Sequence, residues 1–303
     1  SEGKVNKFEF WEFLWPIIHN GACVGIVAQD MRTMEIKAFR GDAVVMATGG
    51  NGLVFGKSTM SVICTGGAQS RCYQAGAWYA NPEMIQVHPT AIPGEDKCRL
   101  ISESARGEGG RVWVPRKPGD IRPPNDIPET ERFYFLEERY PKYGNLVPRY
   151  IATREIFQVC TEMKLGVGGG NMVYLDLRDE VKRIGRAAIL GKLEGILEIY
   201  EKFVGTDPLD EPMKIFPAVH YTMGGLWAGF TKDEKSGGLK MNDPKNMMTN
   251  VPGLYAMGEA SFAYHGANRL GANSLLSCLF DGLFGGSCIK TYIQDGLGDG
   301  TPH

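Results

Sequence analysis

One stretch, "QVHPTAIPGEDKCRLISESARGEGGRVW", holds an imidazole (His88), a hydroxyl (Ser102), a carboxylate (Glu103) and a guanidinium (Arg106) within 19 residues. Further along, "AVHYTMGG" adds His220 and "HGANRLG" adds Arg269. A small molecule with a carboxylate at each end, taken out of water, must meet donors at both ends, because a buried charge without partners is costly. His88, Ser102, His220 and Arg269 are such a set of donors. Each also has a plainer reading. His88 before Pro89 can simply end a strand, His220 can be a structural histidine bonded to a carbonyl, and Arg269 can be an ordinary ion-pair partner. Glu103 and Arg106 are three apart, the spacing of one helical face, where a surface pair is worth only about 0.2–0.5 kcal/mol. The surroundings favour the ligand reading. Gly224 and Gly225 let the chain after His220 pass close to something flat. An arginine in a glycine-rich loop just before a helix is well placed to grip a carboxylate with its planar fork. His265 reads as structural.

The elements that must hold these residues are legible in outline. From Cys23 to Ala47 the pattern is strand, turn, strand, turn, strand, closing on "DAVVMATGG", a continuous apolar run that stops at Gly49 and Gly50. Such a run suits a buried strand ending at a ligand. "NVPGLYAMGEA" repeats the form, ending at Gly258 and Glu259. "TGGAQSRCYQAGAWYA" reads as a helix entered through glycines, and "PRKPGDIRPPNDIPE" as a surface loop. Residues 150–164 and 179–204 have helical periodicity, separated by "GVGGGN" and the short strand "MVYLDL". "AVHYTMGGLWAGF" reads as strand, glycine turn, strand. A last helix over Asn273–Ile293 lines Leu275, Leu276, Leu279, Phe280 and Leu283 along one face. The two glycine-ended strands belong in an open α/β sheet with a nucleotide at their carboxyl ends. The G-x-G-x-x-G fingerprint of the first strand of such a sheet does not occur in the chain.

Composition narrows the class. The chain has 303 residues, 43% hydrophobic, enough for a large core and two domains. Its net charge of −2, with both signs interspersed, leaves no nucleic-acid footprint. Forty glycines, gathered in short clusters, suit close backbone approach to a ligand rather than a linker. The seven cysteines are an odd number without a Cys-x-x-Cys pair, so neither a disulfide framework nor a metal site is expected, and a reducing compartment is. No apolar run reaches the length of a membrane span, and the opening residues do not read as a signal peptide.

The motifs "DAVVMATGG", "HPT", "SESARGEGG", "ATRE", "HYTMGG", "GLYAMGEA" and "HGANRLGANSLL" stand in the order found in the succinate dehydrogenase and fumarate reductase flavoproteins, which the chain resembles from about Phe8 to Gly286. "WEFL", "GKSTMSVICTG", "KYGNLVPRYIATREIF" and "MKIFPAVHYTMGGLW" are most similar to the bacterial quinone-linked branch. The resemblance implies an α/β, Rossmann-like FAD-binding domain, incomplete and in two pieces (1–92 and 218–303), with an inserted α+β capping domain (93–217). It also implies that the fingerprint segment, the histidine that attaches FAD covalently and a carboxy-terminal helical domain lie outside this sequence.

The activity implied is the interconversion of succinate and fumarate. His88 and Ser102 (threonine in many relatives) would hold one carboxylate, and His220 and Arg269 the other. Flavin takes the hydride. The proton would fall to Arg154 of "ATRE", where Glu155 replaces the usual aspartate. Arginine, with a pKa above about 12, needs help for this, and Glu103 with Arg106 would complete the relay. For FAD, Gly49 and Gly50 would pass under the nucleotide. Glu259, after Gly258, would accept from ribityl hydroxyls. The helix start at Asn273, Ser274 and Leu275 would face the flavin's pyrimidine oxygens. The family's "TGDG" is "TGGA" here (Thr65–Ala68), so the aspartate's contribution must come from elsewhere. The implied partners are an iron–sulfur subunit, a membrane-anchor cytochrome b subunit and, through them, a quinone, at the cytoplasmic face of a bacterial inner membrane. Two other readings stay open: a soluble enzyme like L-aspartate oxidase, and a truncated scaffold that binds without turnover.

Overall fold

Strand β1 (Trp11–His19) turns at Asn20 and Gly21 into β2 (Ala22–Asp30) in this computed structural model, which describes residues 4–296. Asn20 and Gly21 both have positive φ, 48° and 82°, the backbone that Asn-Gly supplies in tight hairpins. β3 (Ile36–Arg40) pairs antiparallel with β2. β1, unlike β2 and β3, was not legible in the sequence. Next come β4 (Val44–Met46), α1 (Gly67–Gln74), β5 (Tyr79–Ala80), β6 (Ile85–Ile92) and β7 (Arg99–Leu100). The middle of the chain forms α2 (Ser104–Gly107), β8 (Arg111–Pro115), β9 (Arg132–Phe133), α3 (Phe135–Arg139), α4 (Arg149–Phe157), β10 (Val173–Asp176), α5 (Arg178–Ile184) and α6 (Arg186–Val204). β11 (Met213–Thr222), β12 (Gly225–Leu226), β13 (Leu254–Ala256) and α7 (Asn273–Gln294) complete it.

The described chain divides into two compact units. One comprises Ser1–Val54, Ile63–Ile85 and Tyr221–His303, and the other Phe55–Val62 and Gln86–His220. Residues 1–3 and 297–303 of the first lie outside the described part. In the first unit, β4 and β13 pair in parallel, Val44 opposite Leu254 and Met46 opposite Ala256, so the two glycine-ended strands do lie side by side. Met46, Leu226, Leu254 and Ala256 form a core there with Cys72 and Ala77 of the α1 region.

The second unit is built on a sheet ordered β7-β6-β11-β10-β8-β9. Its core joins Ile92, Val112, Val114, Leu175 and Ile215 of the sheet to Ile156 of α4 and Ile189, Leu193 and Leu197 of α6. The three α6 residues repeat every four, the stripe that puts one helix face inward. The unit borders therefore differ from the expected 92/93 and 217/218. β6 and β11 are neighbours in this sheet, so His88 and His220 travel with it rather than with β4 and β13.

α7 differs from expectation in its orientation. It ends one residue beyond the expected Ile293, but Leu275, Leu276, Leu279, Phe280 and Leu283 are exposed, and the buried side carries Ser277, Asp281, Phe284, Gly285, Cys288 and Tyr292. The leucine stripe that periodicity marks is the outer face here, opposite the buried one. Packing decides it: a Cβ on Gly285 would stand 2.3 Å from Met257 Cε, so the glycine lets this side approach the Met247–Tyr255–Met257 cluster closely. Among the described residues, no helix is long and apolar enough to cross a membrane.

Candidate functional site

In the sheet unit, β6 and β11 bring His88 and His220 together, ring centroids 5.1 Å apart and planes at 73°, edge to face. His88 is fully buried. Its Nδ1 accepts the Thr90 N–H at 3.2 Å, while the Thr90 hydroxyl donates to the Ile101 carbonyl. His220 Nδ1 lies 2.7 Å from the Thr59 hydroxyl, contributed by a loop 161 residues away in sequence. Ser102, just after β7, accepts the Ser104 N–H at 3.2 Å, a local turn that fixes the head of α2.

The carboxylate of Glu103 is gripped by an arginine the sequence reading missed. Arg149 donates from Nε to Oε1 at 2.7 Å and from Nη2 to Oε2 at 3.0 Å. Its Nη1 donates to Gln86 Oε1 at 2.9 Å, two residues before His88. One turn on, Thr153 donates to the Val87 carbonyl at 3.0 Å, so residues four apart lay α4 against β6. Arg106 reaches Glu103 from the other side at 3.4 Å and donates to the carbonyls of Asn145 (2.8 Å) and Val147 (3.2 Å). Burial holds its guanidinium below the ordinary arginine range, against the pull of Glu103 and with the push of Arg149.

Arg154, the expected proton carrier, is exposed and makes no bond to Glu103. At 3.6 residues per turn, five residues turn a side chain about 140° round the helix, so Arg149 and Arg154 cannot share a face. Glu155 is also taken, bonded to Arg139 and to the Tyr140 hydroxyl at 2.7 Å. Of the three residues expected together, Glu103 and Arg106 do meet, and the arginine of α4 that reaches them is Arg149 rather than Arg154. Pro148 marks the start of α4 and makes Arg149 its first residue, but the face that meets Glu103 is set by packing on β6.

The remaining expected residues lie in the first unit and are described within it. Arg269 is buried, its guanidinium 4.4 Å from the Tyr221 ring centroid, and donates to Ser274 Oγ at 3.0 Å. Ser274 thus fixes Arg269 while opening α7 beside Asn273. Leu275 is 73% exposed. Ala272, immediately before the helix, holds a positive φ of 65°, a conformation that L-residues other than Asn and Asp seldom take. His265 packs edge to face on Tyr221, and burial and then Arg269 depress its pKa, in keeping with a structural role.

At the strand ends, Gly49 has a φ of 73° and Gly258 of 62°. A Cβ on Gly50 would fall 2.4 Å from both Glu259 Oε1 and Thr222 Oγ1. Glu259 accepts the Thr222 N–H at 2.8 Å and its hydroxyl at 3.2 Å. Burial pushes its pKa up, and the two Thr222 bonds only partly offset this. One oxygen of Glu259 is thus committed to the protein rather than to a ligand hydroxyl.

Beside Gly49 opens a cleft of about 580 Å³, lined among others by Asn51, Thr65, Gly66, Gly67, Gln69 and Tyr79. A chain of bonds runs along it. Asn51 Nδ2 donates to the Tyr79 hydroxyl (2.9 Å), which donates to Gln69 Oε1 (3.0 Å), whose Nε2 donates to the Gly49 carbonyl (2.6 Å). The buried anchor at the strand end is therefore Gln69, two residues past Gly67, which stands where the family has aspartate. The Asn51 side-chain oxygen Oδ1 is buried and takes no hydrogen bond from the protein, a group that a bound donor would satisfy. Glycines at positive φ, a neighbouring helix entered through glycine and this unmet acceptor all suit a dinucleotide. Among the described residues, no cluster of His, Cys, Asp and Glu has the form of a metal site.

Comparison with known proteins adds three findings. The family model described as FAD binding domain matches residues 8–275. The chain is 54% identical, over 96% of its length, to the succinate dehydrogenase flavoprotein subunit of Bacillus subtilis, covering 45% of that protein, and 35% identical, over 94%, to the 8-methylmenaquinol:fumarate reductase flavoprotein subunit of Wolinella succinogenes, covering 41%. Among solved structures, a quinol–fumarate reductase with menaquinol molecules superposes with a TM-score of 0.76 at 30% identity, over 96% of this chain and 46% of that one. The chain thus spans less than half the length of these relatives.

Proposed function

The chain belongs to the FAD-binding domain family, whose cofactor is FAD, and on that premise we propose that it serves a flavoprotein that interconverts succinate and fumarate. The observation that carries this reading is the Arg149–Glu103–Arg106 cluster, bonded through Gln86 to the strand that bears His88. It sets two guanidinium groups on one half-buried carboxylate, and a proton carrier of high pKa needs such a carboxylate to exchange with.

In this reading FAD would be held by Gly49, Gly50, Gly258 and the opening turn of α7, and would supply acceptance of a hydride from a C–H bond of one methylene carbon. Every other task falls to side chains. His88, with Ser102, and His220, with Arg269, donate to the two carboxylates. Arg149 exchanges one proton with the substrate carbon, and Glu103 takes that proton on or gives it back. Arg106, whose own proton is loosened by burial, keeps the carboxylate's charge balanced. Electrons leave through an iron–sulfur subunit to a quinone-linked membrane anchor, which would hold this chain peripherally at the cytoplasmic face of a bacterial inner membrane. Supporting the reading are relatives named for succinate and fumarate chemistry.

The test is binding before turnover. The full flavoprotein should bind malonate and succinate in competition, and His88→Ala should weaken both at least tenfold without loss of FAD. Equal affinity in wild type and variant would sink the proposal.

A further inference from the structure

The loop Phe55–Val62 belongs by its contacts to the sheet unit, although the chain on either side of it belongs to the other. Its backbone is bonded to that sheet region. Thr59 N–H donates to the Val219 carbonyl at 2.9 Å, Ser58 C=O accepts the Cys98 N–H at 2.9 Å, and Lys57 Nζ donates to the Gly94 carbonyl at 2.9 Å. Ser58 and Met60 are buried, so packing fixes the loop as well. Between those two residues stands Thr59, its hydroxyl 2.7 Å from His220 Nδ1.

A hydroxyl has one proton to donate. Two acceptors compete for this one, His220 Nδ1 at 2.7 Å and the Val219 carbonyl at 3.4 Å. The second distance is long for an O–H···O bond, and that carbonyl already accepts Thr59's own N–H. The proton therefore goes to Nδ1. A neutral imidazole that accepts at Nδ1 carries its proton on Nε2. His88 reaches the same state by another route, because the Thr90 backbone N–H at its Nδ1 can only donate.

We propose that Thr59 is a positioning residue that holds His220 as the Nε2–H tautomer, matching His88, so that both imidazoles offer an N–H to an anionic ligand. This rests on the dicarboxylate reading above for the ligand, but not for the tautomer. Thr59 touches no substrate in this scheme. It acts only through the ring it orients.

The test uses the holoprotein with 15N-labelled histidine. Long-range proton–nitrogen spectra should show wild-type His220 as Nε2–H. Thr59→Ser, which keeps the hydroxyl, should keep both the spectrum and the affinity for malonate. Thr59→Val, nearly isosteric, should lose the tautomer preference and weaken malonate about tenfold or more, as expected for loss of a bond to a charged group, with KM rising more than kcat falls. A wild-type His220 seen as Nδ1–H overturns the assignment, and so does a Thr59→Val protein with unchanged spectrum and affinity. Thr59→Ser as damaging as Thr59→Val would show that the methyl group matters rather than the hydroxyl, which also overturns it. Should Thr59→Val fail to fold, the wild-type spectrum and the serine variant still decide. A protein with His220 as Nε2–H that binds no dicarboxylate leaves the tautomer assignment standing and removes the functional reading instead.

Discussion

Arg149 holds both carboxylate oxygens of Glu103, Nε on Oε1 at 2.7 Å and Nη2 on Oε2 at 3.0 Å. A two-point grip of this kind is specific to arginine, since lysine offers a point charge on a flexible stem and no planar fork.

Arg149→Lys should therefore collapse turnover by about 10²–10⁴-fold, the usual worth of a positioned acid–base group, while malonate affinity and FAD content stay near wild type. Glu103→Gln should slow the same step, because an amide cannot take on the proton. Arg154→Lys should remain active. Steady-state rates with malonate competition check all three, and a dead Arg154→Lys beside a live Arg149→Lys would reverse the roles.

Arg269→Ala should weaken dicarboxylate binding. Each charged hydrogen bond lost is worth about 1.5–3 kcal/mol, or roughly 10–150-fold in affinity. Calorimetric titration with malonate measures it. Normal binding would return Arg269 to a structural partner of Tyr221 and Ser274.

Flavin retention should depend on two residues at the end of β4. Gly50→Ala puts a methyl 2.4 Å from Glu259 Oε1 and Thr222 Oγ1, so those side chains must move, and bound flavin per protein should fall. Gln69→Leu removes the bond to the Gly49 carbonyl and should loosen flavin while leaving secondary structure intact. Absorbance of purified protein and far-ultraviolet circular dichroism read the two effects separately. Full flavin content in both variants would remove this strand end from the cofactor site.

Acid should destabilise the sheet unit through Asp176. Burial alone would raise its pKa, but the backbone and guanidinium of Arg178 (3.0, 2.8 and 2.6 Å), followed by Trp113 Nε1 at 3.1 Å, together hold it below the ordinary value. A depressed folded pKa stabilises above the unfolded value of about 3.9, and that stability is lost as pH falls through the folded one. Melting temperature should therefore drop below about pH 4 in wild type, and Asp176→Asn should start lower and show a flatter acid limb. Parallel acid limbs in the two proteins would refute this.

The sequence spoke most clearly where chemistry is local. Apolar runs closing on glycine announced β4 and β13 as strands of one α/β sheet, while their direct parallel pairing is a finding of the structure. The extent of α7 was legible to within one residue, but its inward face was not, because the leucine stripe that a hydrophobic pattern points to is the exposed one. Arg149 was missed for a geometric reason. Two arginines five apart look equivalent in a string, and only the packing of α4 on β6 separates them. Thr59 left no local signal at all, since its partner His220 lies in a strand 161 residues away. Gln69 looked like any polar residue on a short helix until its bond to the Gly49 carbonyl appeared.

Five stretches of chain alternate between the two units, so neither unit is a continuous piece that one cut could release. Excising 86–220 would strand Phe55–Val62, whose hydrogen-bond partners at Gly94, Cys98 and Val219 all lie in the removed part. For the same reason the short loop cannot dock until residues far along the chain have been made. Loop-closure entropy grows only slowly with length, about 0.6 kcal/mol per doubling, so the arrangement costs little at equilibrium. Its cost is kinetic, because non-local pairing folds slowly. During synthesis, Thr59 must wait for the strand that carries His220, which makes formation of the histidine pair one of the last events in the assembly of this sheet.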